Sequence, residues 1–327
     1  RATIGRNYRG GDRGAEGLPT VFGGILGTLA PVDLAGYDYD LPPSCIAQFP
    51  APARDAARLL LIDRATGALA DHTVRDLPAL LRPGACLVVN DSRVIPARLL
   101  ARTAHGRRVE LLFLASAGGA CWRALVRPGR LCPVGAALVA DGVSGARLRV
   151  VGLGEEGERR VEREDGTIPD LLERDGLPPL PPYISRHATP TREDRERYQT
   201  VYARVEGSVA APTAGLHFTD DLLARLRARG VEVHALTLHV GPATFRPIRA
   251  PCVEDHRLSP ERVVLSRAVA EAVNQAREQG RRVVSVGTTT TRALEGSVGP
   301  DGRLAPRDGA VDLFITPGHR FRAVDAL

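Results

Sequence analysis

Apolar runs and amphipathic stretches alternate along most of the chain, and this alternation predicts an α/β protein. The runs at residues 58–63 and 86–90 predict buried strands. Between them, residues 77–81 predict a short helix, which ends at 82–84 because proline and glycine interrupt helices. Residues 1–31 are rich in glycine and arginine without a helical or strand period, so they predict a disordered tail.

A second α/β region begins near residue 168. Thr219 is suited to N-cap a helix, because its hydroxyl can accept a hydrogen bond from the first turn, and Gly230 suits the position just past that helix. A strand at 231–239, a second helix and a strand at 282–286 follow. The apolar stripes of the two helices are Leu222, Leu223 and Leu226, then Val269, Ala272, Val273 and Ala276. The alternation predicts a mixed or parallel sheet covered by helices.

Between these regions the pattern changes to short strands separated by glycine-rich turns. The strand candidates are residues 94–102, 109–115, 122–127, 136–140, 146–153 and 159–163. Their spacing of about 8–12 residues is typical of a small barrel or sandwich. We therefore expect an antiparallel β-barrel, residues 93–165, inserted into a discontinuous α/β domain made of residues 32–92 and 166–327.

Composition narrows the chemistry. All 44 basic residues are arginine, the net charge is +6, and the sequence pI is about 9.4. This balance is compatible with a nucleic-acid partner. Because the chain has no lysine, Schiff-base catalysis and the lysine-bearing phosphate loop are excluded. Methionine is also absent.

The five cysteines are scattered without a Cys-x-x-Cys pair, which favours reduced thiols over disulfides or a zinc site. The apolar stretch at residues 21–32 is too short to span a bilayer. We expect a cytoplasmic protein without a membrane segment.

Two apparent motifs carry no chemistry. Residues 152–157 spell the Gly-x-Gly-x-x-Gly dinucleotide fingerprint, but acidic residues fill it and no amphipathic helix follows, so a turn between barrel strands is predicted. His234 and His239 are five apart on a predicted strand, which places them on opposite faces and argues against a shared metal.

Three stretches combine small residues with polar ones at predicted strand ends or helix starts: residues 207–218, 238–245 and 287–295. Ligands of open α/β sheets bind at the carboxyl ends of strands. Backbone N–H groups at a helix start suit an anion, and small side chains admit a ligand close to the backbone. The three stretches together predict a binding site.

At these residues the chain resembles the S-adenosylmethionine:tRNA ribosyltransferase-isomerase family of bacterial queuosine biosynthesis. The run AAPTAGLHF at residues 210–218 is the most specific match. The matching stretches, in family order, are residues 37–42, 90–98, 180–184, 198–202, 207–218, 238–245, 286–295 and 317–327.

The resemblance implies an α/β catalytic domain with an inserted β-barrel, in agreement with the pattern. It also implies that the ribosyl part of S-adenosylmethionine is transferred to the 7-aminomethyl-7-deazaguanine at the tRNA wobble position. Adenine and methionine are released, and epoxyqueuosine-tRNA is formed. The implied partners are tRNA and S-adenosylmethionine, with no metal or further cofactor, and we expect a monomer.

Within that reaction we assign proton transfer to His217 and His239, with Glu295 as a second carboxylate candidate. The other matched positions receive binding roles. Asn90, Asp91 and Arg93 are expected to position substrate or link the domains, Thr288, Thr289 and Arg292 to hold the methionine carboxylate, and Tyr198 and Phe218 to stack on a base. Further expected substrate contacts are Tyr183, Pro212, Thr213, Ala214, Gly215, Gly241, Thr244, Phe245, His256, Glu261, Gly287, Pro317 and Gly318.

The chain departs from the family pattern at some positions. Leu258 and Ser259 stand where the family has His and Met, and the family continues past Leu327 with a Thr-Asn-Phe-His-Leu-Pro stretch and a final helix. Its usual start aligns with Val32, so residues 1–31 are expected to lie outside the family. Two alternatives stay open: a truncated, non-catalytic RNA-binding relative, and an enzyme of the same fold acting on another nucleoside.

Overall fold

The structure is a computed structural model that describes residues 32, 34–185, 190–242, 248, 250 and 252–327. The predicted tail, residues 1–31, and the site candidates Thr244 and Phe245 lie outside the described residues. The strands are β1 (Arg58–Ile62), β2 (Leu69–Thr73), β3 (Cys86–Asn90), β4 (Ser92–Val94), β5 (Arg98–Thr103), β6 (Arg108–Gly118), β7 (Cys121–Arg127), β8 (Ala137–Ala140), β9 (Arg147–Leu153), β10 (Glu158–Arg163), β11 (Val205–Ser208), β12 (Glu232–Leu238), β13 (Glu261–Leu265), β14 (Val283–Ser285) and β15 (Arg307–Val311). The α-helices are α1 (Leu77–Leu80), α2 (Ile168–Asp175), α3 (Arg192–Arg197), α4 (Asp220–Ala228), α5 (Arg267–Glu278) and α6 (Thr288–Glu295).

A five-stranded mixed sheet in the order β14-β3-β12-β13-β15 forms the centre of the α/β region. The first three strands are parallel, whereas β13 and β15 run antiparallel to their neighbours. Successive residues of β3 face opposite sides, so Cys86 and Val88 pack with α5 and α6, while Leu87 and Val89 pack with α4. Burial on both faces explains why β3 is a continuous apolar run. The predicted mixed α/β sheet is confirmed.

The helices of this region begin where the sequence predicts. The Thr219 hydroxyl accepts a hydrogen bond from the Leu222 N–H at 3.1 Å, and Gly230 follows α4 with a φ of 78°. The Ser266 hydroxyl caps α5 in the same way, with the Val269 N–H as donor at 3.3 Å. The caps satisfy N–H groups that have no partner inside the helix.

The inserted strands form a closed antiparallel barrel in the order β10-β7-β6-β5-β8-β9. Inward side chains such as Leu111 and Phe113 fill it, and Ile168, Leu171 and Leu172 of α2 join the same core. Asp175, at the end of α2, also accepts a hydrogen bond from the Ser144 N–H at 3.2 Å. The predicted barrel is confirmed, and helix α2 packs against it. The Gly-x-Gly-x-x-Gly sequence at residues 152–157 runs from the end of β9 to the start of β10, as predicted for a connection between barrel strands.

Two sequence predictions are wrong in detail. The run at 58–63 is not a buried strand: β1 pairs only with β2 in a hairpin, and Leu60, Leu61 and Ile62 are 40–56% exposed. A run of leucines without alternation does not distinguish a buried strand from an exposed hairpin. The predicted strand 94–102 is divided into β4 and β5, because Pro96 has no N–H to donate to a ladder.

No helix within the described residues is long and apolar enough to cross a bilayer. In the same part of the chain, no group of three or more His, Cys, Asp or Glu side chains is arranged to hold a metal ion.

Candidate active site

The carboxyl ends of the parallel strands β14, β3 and β12 meet at one edge of the sheet. Asn90, the last residue of β3, bonds both backbone groups of Leu238: its Nδ2 donates to the carbonyl and its Oδ1 accepts from the N–H, each at 3.0 Å. Asn90 Nδ2 also lies 3.4 Å from the Thr289 hydroxyl at the start of α6. Asn90 is fully buried, so its role is to join the three strand ends.

Residues 207–218 cross this edge. The Val240 N–H donates to the Ser208 hydroxyl at 2.9 Å, and the Val209 N–H donates to the Val240 carbonyl at 3.0 Å. Farther along, a methyl group added to Gly287, whose φ is 88°, would lie 3.2 Å from Ala214 Cβ. The structure therefore brings together the three stretches that predicted a site.

A cleft of about 1050 Å³ separates this edge from the barrel. On the sheet side it is lined by His239, Gly241 and Glu261. Its opposite wall is the barrel, where Arg123 lies on the outer face of β7 and Trp122 is packed against the edge of the barrel core. This volume slightly exceeds the usual range of about 300–1,000 Å³ for small-molecule sites, so it has room for more than one small substrate group.

His239 follows β12, and its ring packs directly against Gly207 beside the cleft. A Cβ on Gly207 would lie 2.7 Å from His239 Nδ1, closer than real Cβ atoms approach, and the φ of Gly207 is 138°. Among the described contacts, the buried Nδ1 atom has no hydrogen-bond partner. Burial lowers the pKa of His239 below the ordinary 6.5, the Arg262 charge lowers it further, and Asp91 partly opposes them. The ring is thus uncharged at neutral pH.

A buried ion pair holds the segment that follows His239. Arg292 Nη1 donates to Glu261 Oε2 at 2.5 Å, and both side chains are 7% exposed. The other carboxylate oxygen of Glu261 accepts the Gly241 N–H at 2.9 Å. Arg292 also donates to the carbonyls of Leu313 and Ser259 at 2.8 and 3.1 Å. The Arg292 guanidinium, which was expected to bind the methionine carboxylate, therefore donates to acceptors within the protein.

Asp91 and Arg93 lie on the segment that leads into the barrel. Asp91 is buried, where it accepts hydrogen bonds from Arg204 at 2.8 Å and from the Thr237 hydroxyl at 2.6 Å. These contacts make Asp91 a structural link. Arg93 is half-exposed, lines the cleft and lies 3.7 Å from Glu206, so it remains accessible to a substrate.

Glu295 lies away from the cleft. Its Oε1 accepts the N–H groups of Ala323 and Val324, and its Oε2 accepts that of Arg322, each at 2.9 Å. His319 Nε2 is a further contact of Oε2 at 3.5 Å. These bonds anchor the last described segment to the end of α6 and leave the carboxylate no access to a substrate.

His217 occupies the turn Thr213–His217, which packs beside Gly287. Its Nδ1 lies 3.1 Å from the Ala214 carbonyl. Burial lowers its pKa, an effect that the carbonyl opposes and the Arg54 charge reinforces. His217 does not contribute to the cleft lining, so the two candidate histidines occupy separate parts of the edge.

The aromatic candidates differ in accessibility. Phe218 is 4% exposed and packs edge-on against Tyr202, with ring centroids 6.2 Å apart. Tyr198 lines the cleft, but its hydroxyl is buried and burial raises its pKa. Trp122, which the sequence did not single out, is only partly buried and packs edge-on against Phe113 at the cleft wall.

The remaining candidates occupy varied surroundings. Thr213, Ala214 and Thr288 are exposed beside the edge, whereas Pro212 is buried and Gly215 lies against the ring of Tyr202. His256 packs edge-on against Phe314, with centroids 5.3 Å apart. Tyr183, Pro317 and Gly318 are exposed and do not line the cleft.

Gly207, Trp122 and Arg123 were missed as site residues. Gly207 opens the small-residue stretch, but only the fold reveals that His239 packs against it. Trp122 and Arg123 lie on a strand whose pattern is that of any amphipathic barrel strand, and the sequence does not show which outer face meets the sheet.

Comparison with known proteins identifies the family. A family described as queuosine biosynthesis protein matches residues 34–327. An S-adenosylmethionine:tRNA ribosyltransferase-isomerase from Symbiobacterium thermophilum is 48% identical over 90% of this chain and 85% of its own length. A protein of the same name from Anaeromyxobacter dehalogenans is 49% identical, again over 90% of this chain and 85% of its own length.

Among solved structures, S-adenosylmethionine tRNA ribosyltransferase from Thermotoga maritima shares 31% identity with this chain. The alignment covers 88% of this chain and 82% of that one, with a TM-score of 0.44. On the family match and the identity to the curated relatives, the chain belongs to the S-adenosylmethionine:tRNA ribosyltransferase-isomerase family of queuosine biosynthesis enzymes.

Proposed function

We propose that the enzyme transfers and isomerises the ribosyl part of S-adenosylmethionine onto the 7-aminomethyl-7-deazaguanine of a tRNA wobble position, in the cleft around His239. The products are epoxyqueuosine-tRNA, adenine and methionine. The observation that carries the proposal is the buried, unbonded Nδ1 of an uncharged histidine at the carboxyl edge of the sheet.

His239 is the general base of this proposal. A positive sulfonium acidifies the neighbouring C–H bond, so a neutral imidazole is basic enough to remove the proton. The electrons of that C–H bond open the ribose ring at its C–O bond, and the ring oxygen becomes an aldehyde as the C–N bond to adenine breaks, so that adenine leaves with a proton. The aminomethyl nitrogen adds to the resulting vinyl sulfonium and loses a proton, and the carbon that bears sulfur then attacks the aldehyde, which closes the five-membered carbon ring and generates an alkoxide. Finally an alkoxide attacks the carbon that bears sulfur, and the C–S bond breaks to release methionine and close the epoxide.

The Glu261–Arg292 pair is a positioning element in this scheme. Through the Gly241 N–H, Glu261 fixes the backbone two residues after His239. For the methionine carboxylate we retain Thr288 and Thr289, because they lie at the start of α6 where N–H groups point out of the helix. We no longer assign that role to Arg292, because its side chain is 7% exposed and all three of its nitrogens already donate to protein acceptors.

Trp122 is the aromatic surface that we propose for the deazaguanine or the adenine. Bases that undergo chemistry leave the stack and lie on aromatic side chains. Phe218 is buried in the core, whereas Trp122 is only partly buried and lines the cleft. We further propose that the enzyme acts as a monomer, because residues of one chain form both walls of the cleft, and that it is cytoplasmic, as a tRNA substrate requires.

The test is adenine release from S-adenosylmethionine in the presence of an anticodon stem-loop that carries the 7-deazaguanine precursor. We expect release by the unaltered enzyme, with the product mass of epoxyqueuosine. His239→Gln should lower kcat by about 10²–10⁴-fold, the usual contribution of a general base. His234→Gln is the matched control, since His234 lies on β12, the strand that His239 follows, and its Nε2 is 3.6 Å from a carboxylate oxygen of Glu232.

Near-normal kcat in His239→Gln would remove the assigned role. Binding of the stem-loop without adenine release would favour the non-catalytic RNA-binding alternative. Adenine release that requires a different nucleoside would favour the related-enzyme alternative.

A further inference from the structure

Positive charge is concentrated in the barrel. Residues 98–163 contain 12 arginines and six acidic residues, a net charge of +6, which equals the net charge of the whole chain. Residues 1–97 and 164–327 together are therefore neutral. A small domain that carries the entire charge excess creates a local positive field suited to a polyanion.

Several barrel arginines are paired with acids or with backbone carbonyls. Arg102 bonds Asp141 at 2.6 Å, and Arg123 bonds Glu158 at 2.7 Å. By contrast, five exposed arginine side chains of the barrel have no ion pair or hydrogen bond among the described contacts: Arg107, Arg108, Arg127, Arg130 and Arg160. We call the first four, which lie near one another, the arginine rim. Unpaired guanidinium groups can bind phosphate without first giving up a protein partner.

The arginine rim lies at one end of the barrel. Arg107 and Arg108 lie at the turn into β6, and Arg127 ends β7 just before the short helix Gly129–Leu131. Because β6 and β7 are antiparallel, with Glu110 opposite Arg127, the beginning of β6 and the end of β7 are neighbours. The carboxylate of Glu110 is itself engaged by Arg98 at 2.9 Å.

The rim is continuous with the cleft. Arg123 and Arg127 are on the same face of β7, since side chains alternate along a strand, and are about 13 Å apart at about 3.3 Å per residue. Arg123 lines the cleft, so the outer face of β7 leads from the reacting base to the rim.

We propose that the arginine rim binds backbone phosphates of the tRNA stem whose wobble base enters the cleft. The proposal rests on the proposed function, because it takes its ligand from that reaction. An RNA backbone is favoured over an acidic protein because the rim continues directly from the cleft where the modified base is expected to react.

The test compares two triple variants with the same change in charge. Arg108→Gln/Arg127→Gln/Arg130→Gln removes most of the rim. The control, Arg82→Gln/Arg227→Gln/Arg229→Gln, alters three exposed arginines at the opposite, amino edge of the sheet. Kd for unmodified tRNA is measured from about 0.05 to 0.2 M salt, KM for precursor tRNA is measured by adenine release, and thermal unfolding verifies the fold.

We expect the rim variant to reduce the slope of log Kd against log salt by about 2–3, since each phosphate contact contributes about 0.7–0.9. KM should rise at least about 10-fold, because each lost phosphate contact weakens binding. The control should change neither quantity. An unchanged slope in the rim variant, or an equal loss in the control, would overturn the proposal. The unaltered enzyme could release no adenine while the rim variant still shows a smaller slope of log Kd against log salt. That result would contradict the proposed reaction and support the arginine rim as an RNA-binding surface.

Discussion

The region around His239 and the region around Glu295 both lie in segments that match the family, yet they differ in one physical respect. Around Glu295, both carboxylate oxygens accept hydrogen bonds, and the backbone of the last described segment supplies three of the donors. Around His239, which lines the cleft, the buried Nδ1 lies against Gly207 and has no hydrogen-bond partner among the described contacts. Buried polar groups are normally satisfied, so an unsatisfied one beside a cleft marks a place for a ligand.

The largest effect on kcat is expected from filling the space between Gly207 and the His239 ring. Gly207→Ala would place a methyl group 2.7 Å from His239 Nδ1, so the ring must move. Because a displacement of about 1 Å can cost about 100-fold in rate, we expect kcat to fall by up to about that factor. Steady-state adenine release measures it.

Gly118→Ala is the control for backbone strain. The φ of Gly118 is 101°, and a Cβ there would meet nothing within 4 Å. It should lower stability without lowering kcat. An equal loss of kcat in the two variants would show that strain, and not the position of His239, is responsible.

A large effect of another kind is expected at Glu295. Glu295→Gln keeps the shape but replaces one acceptor oxygen by an NH₂ donor, which then faces backbone N–H groups. We expect a loss of about 2–3 kcal/mol in the free energy of unfolding, the usual cost of leaving buried donors unbonded. Urea denaturation measures it, with Glu278→Gln, an exposed partner of Arg303, as control.

The kcat of folded Glu295→Gln should stay close to that of the unaltered enzyme. A variant that keeps its stability but loses kcat would reverse the assignment of Glu295 as structural.

A smaller effect is expected on the barrel side of the cleft. Trp122→Leu keeps an apolar residue in the barrel wall but removes the flat ring. Since base–aromatic stacking contributes about 1–3 kcal/mol, KM for precursor tRNA should rise about 10-fold. The exposed Tyr39, which is outside the cleft, provides the control Tyr39→Leu. An unchanged KM in Trp122→Leu would leave only the sheet side of the cleft in contact with the base.

The smallest effect concerns pH. His239 and His217 both have pKa values lowered by burial from the ordinary 6.5. The folded state therefore binds fewer protons than the unfolded state, and this contribution to stability is present above pH 6.5 and lost as the pH falls below it. The Tm should decline on acidification in this range, and His217→Gln should make the decline shallower. A Tm independent of pH there would contradict the burial of both rings.

The sequence predicted the architecture well because each element carries its own local signal. Thr219 and Gly230 mark the two ends of α4, and β3 is apolar throughout because helices cover both of its faces. The prediction of a buried strand at residues 58–62 was wrong because a run of leucines does not show whether other elements cover its two faces.

The site was predicted in outline and not in detail. The three polar stretches lie together because the carboxyl ends of parallel strands share an edge. Arg292, Glu295 and Phe218 matched the family, but their hydrogen bonds and burial depend on distant partners such as Glu261, 31 positions away from Arg292. Neither these contacts nor the barrel face that meets the sheet can be deduced from local pattern.

The insertion of the barrel has a consequence for how the chain folds. Asn90 and Leu238 are bonded across 148 positions, whereas all the barrel strands pair within residues 98–163. Contacts near in sequence form faster, and closing a long flexible loop costs more entropy than closing a short one. If the barrel folds first, the flexible chain between β3 and β12 is shorter when those two strands meet. Phe113→Leu, in the barrel core, should therefore slow the appearance of protected amides in β3 during refolding, and an unchanged rate there would show that the sheet assembles independently.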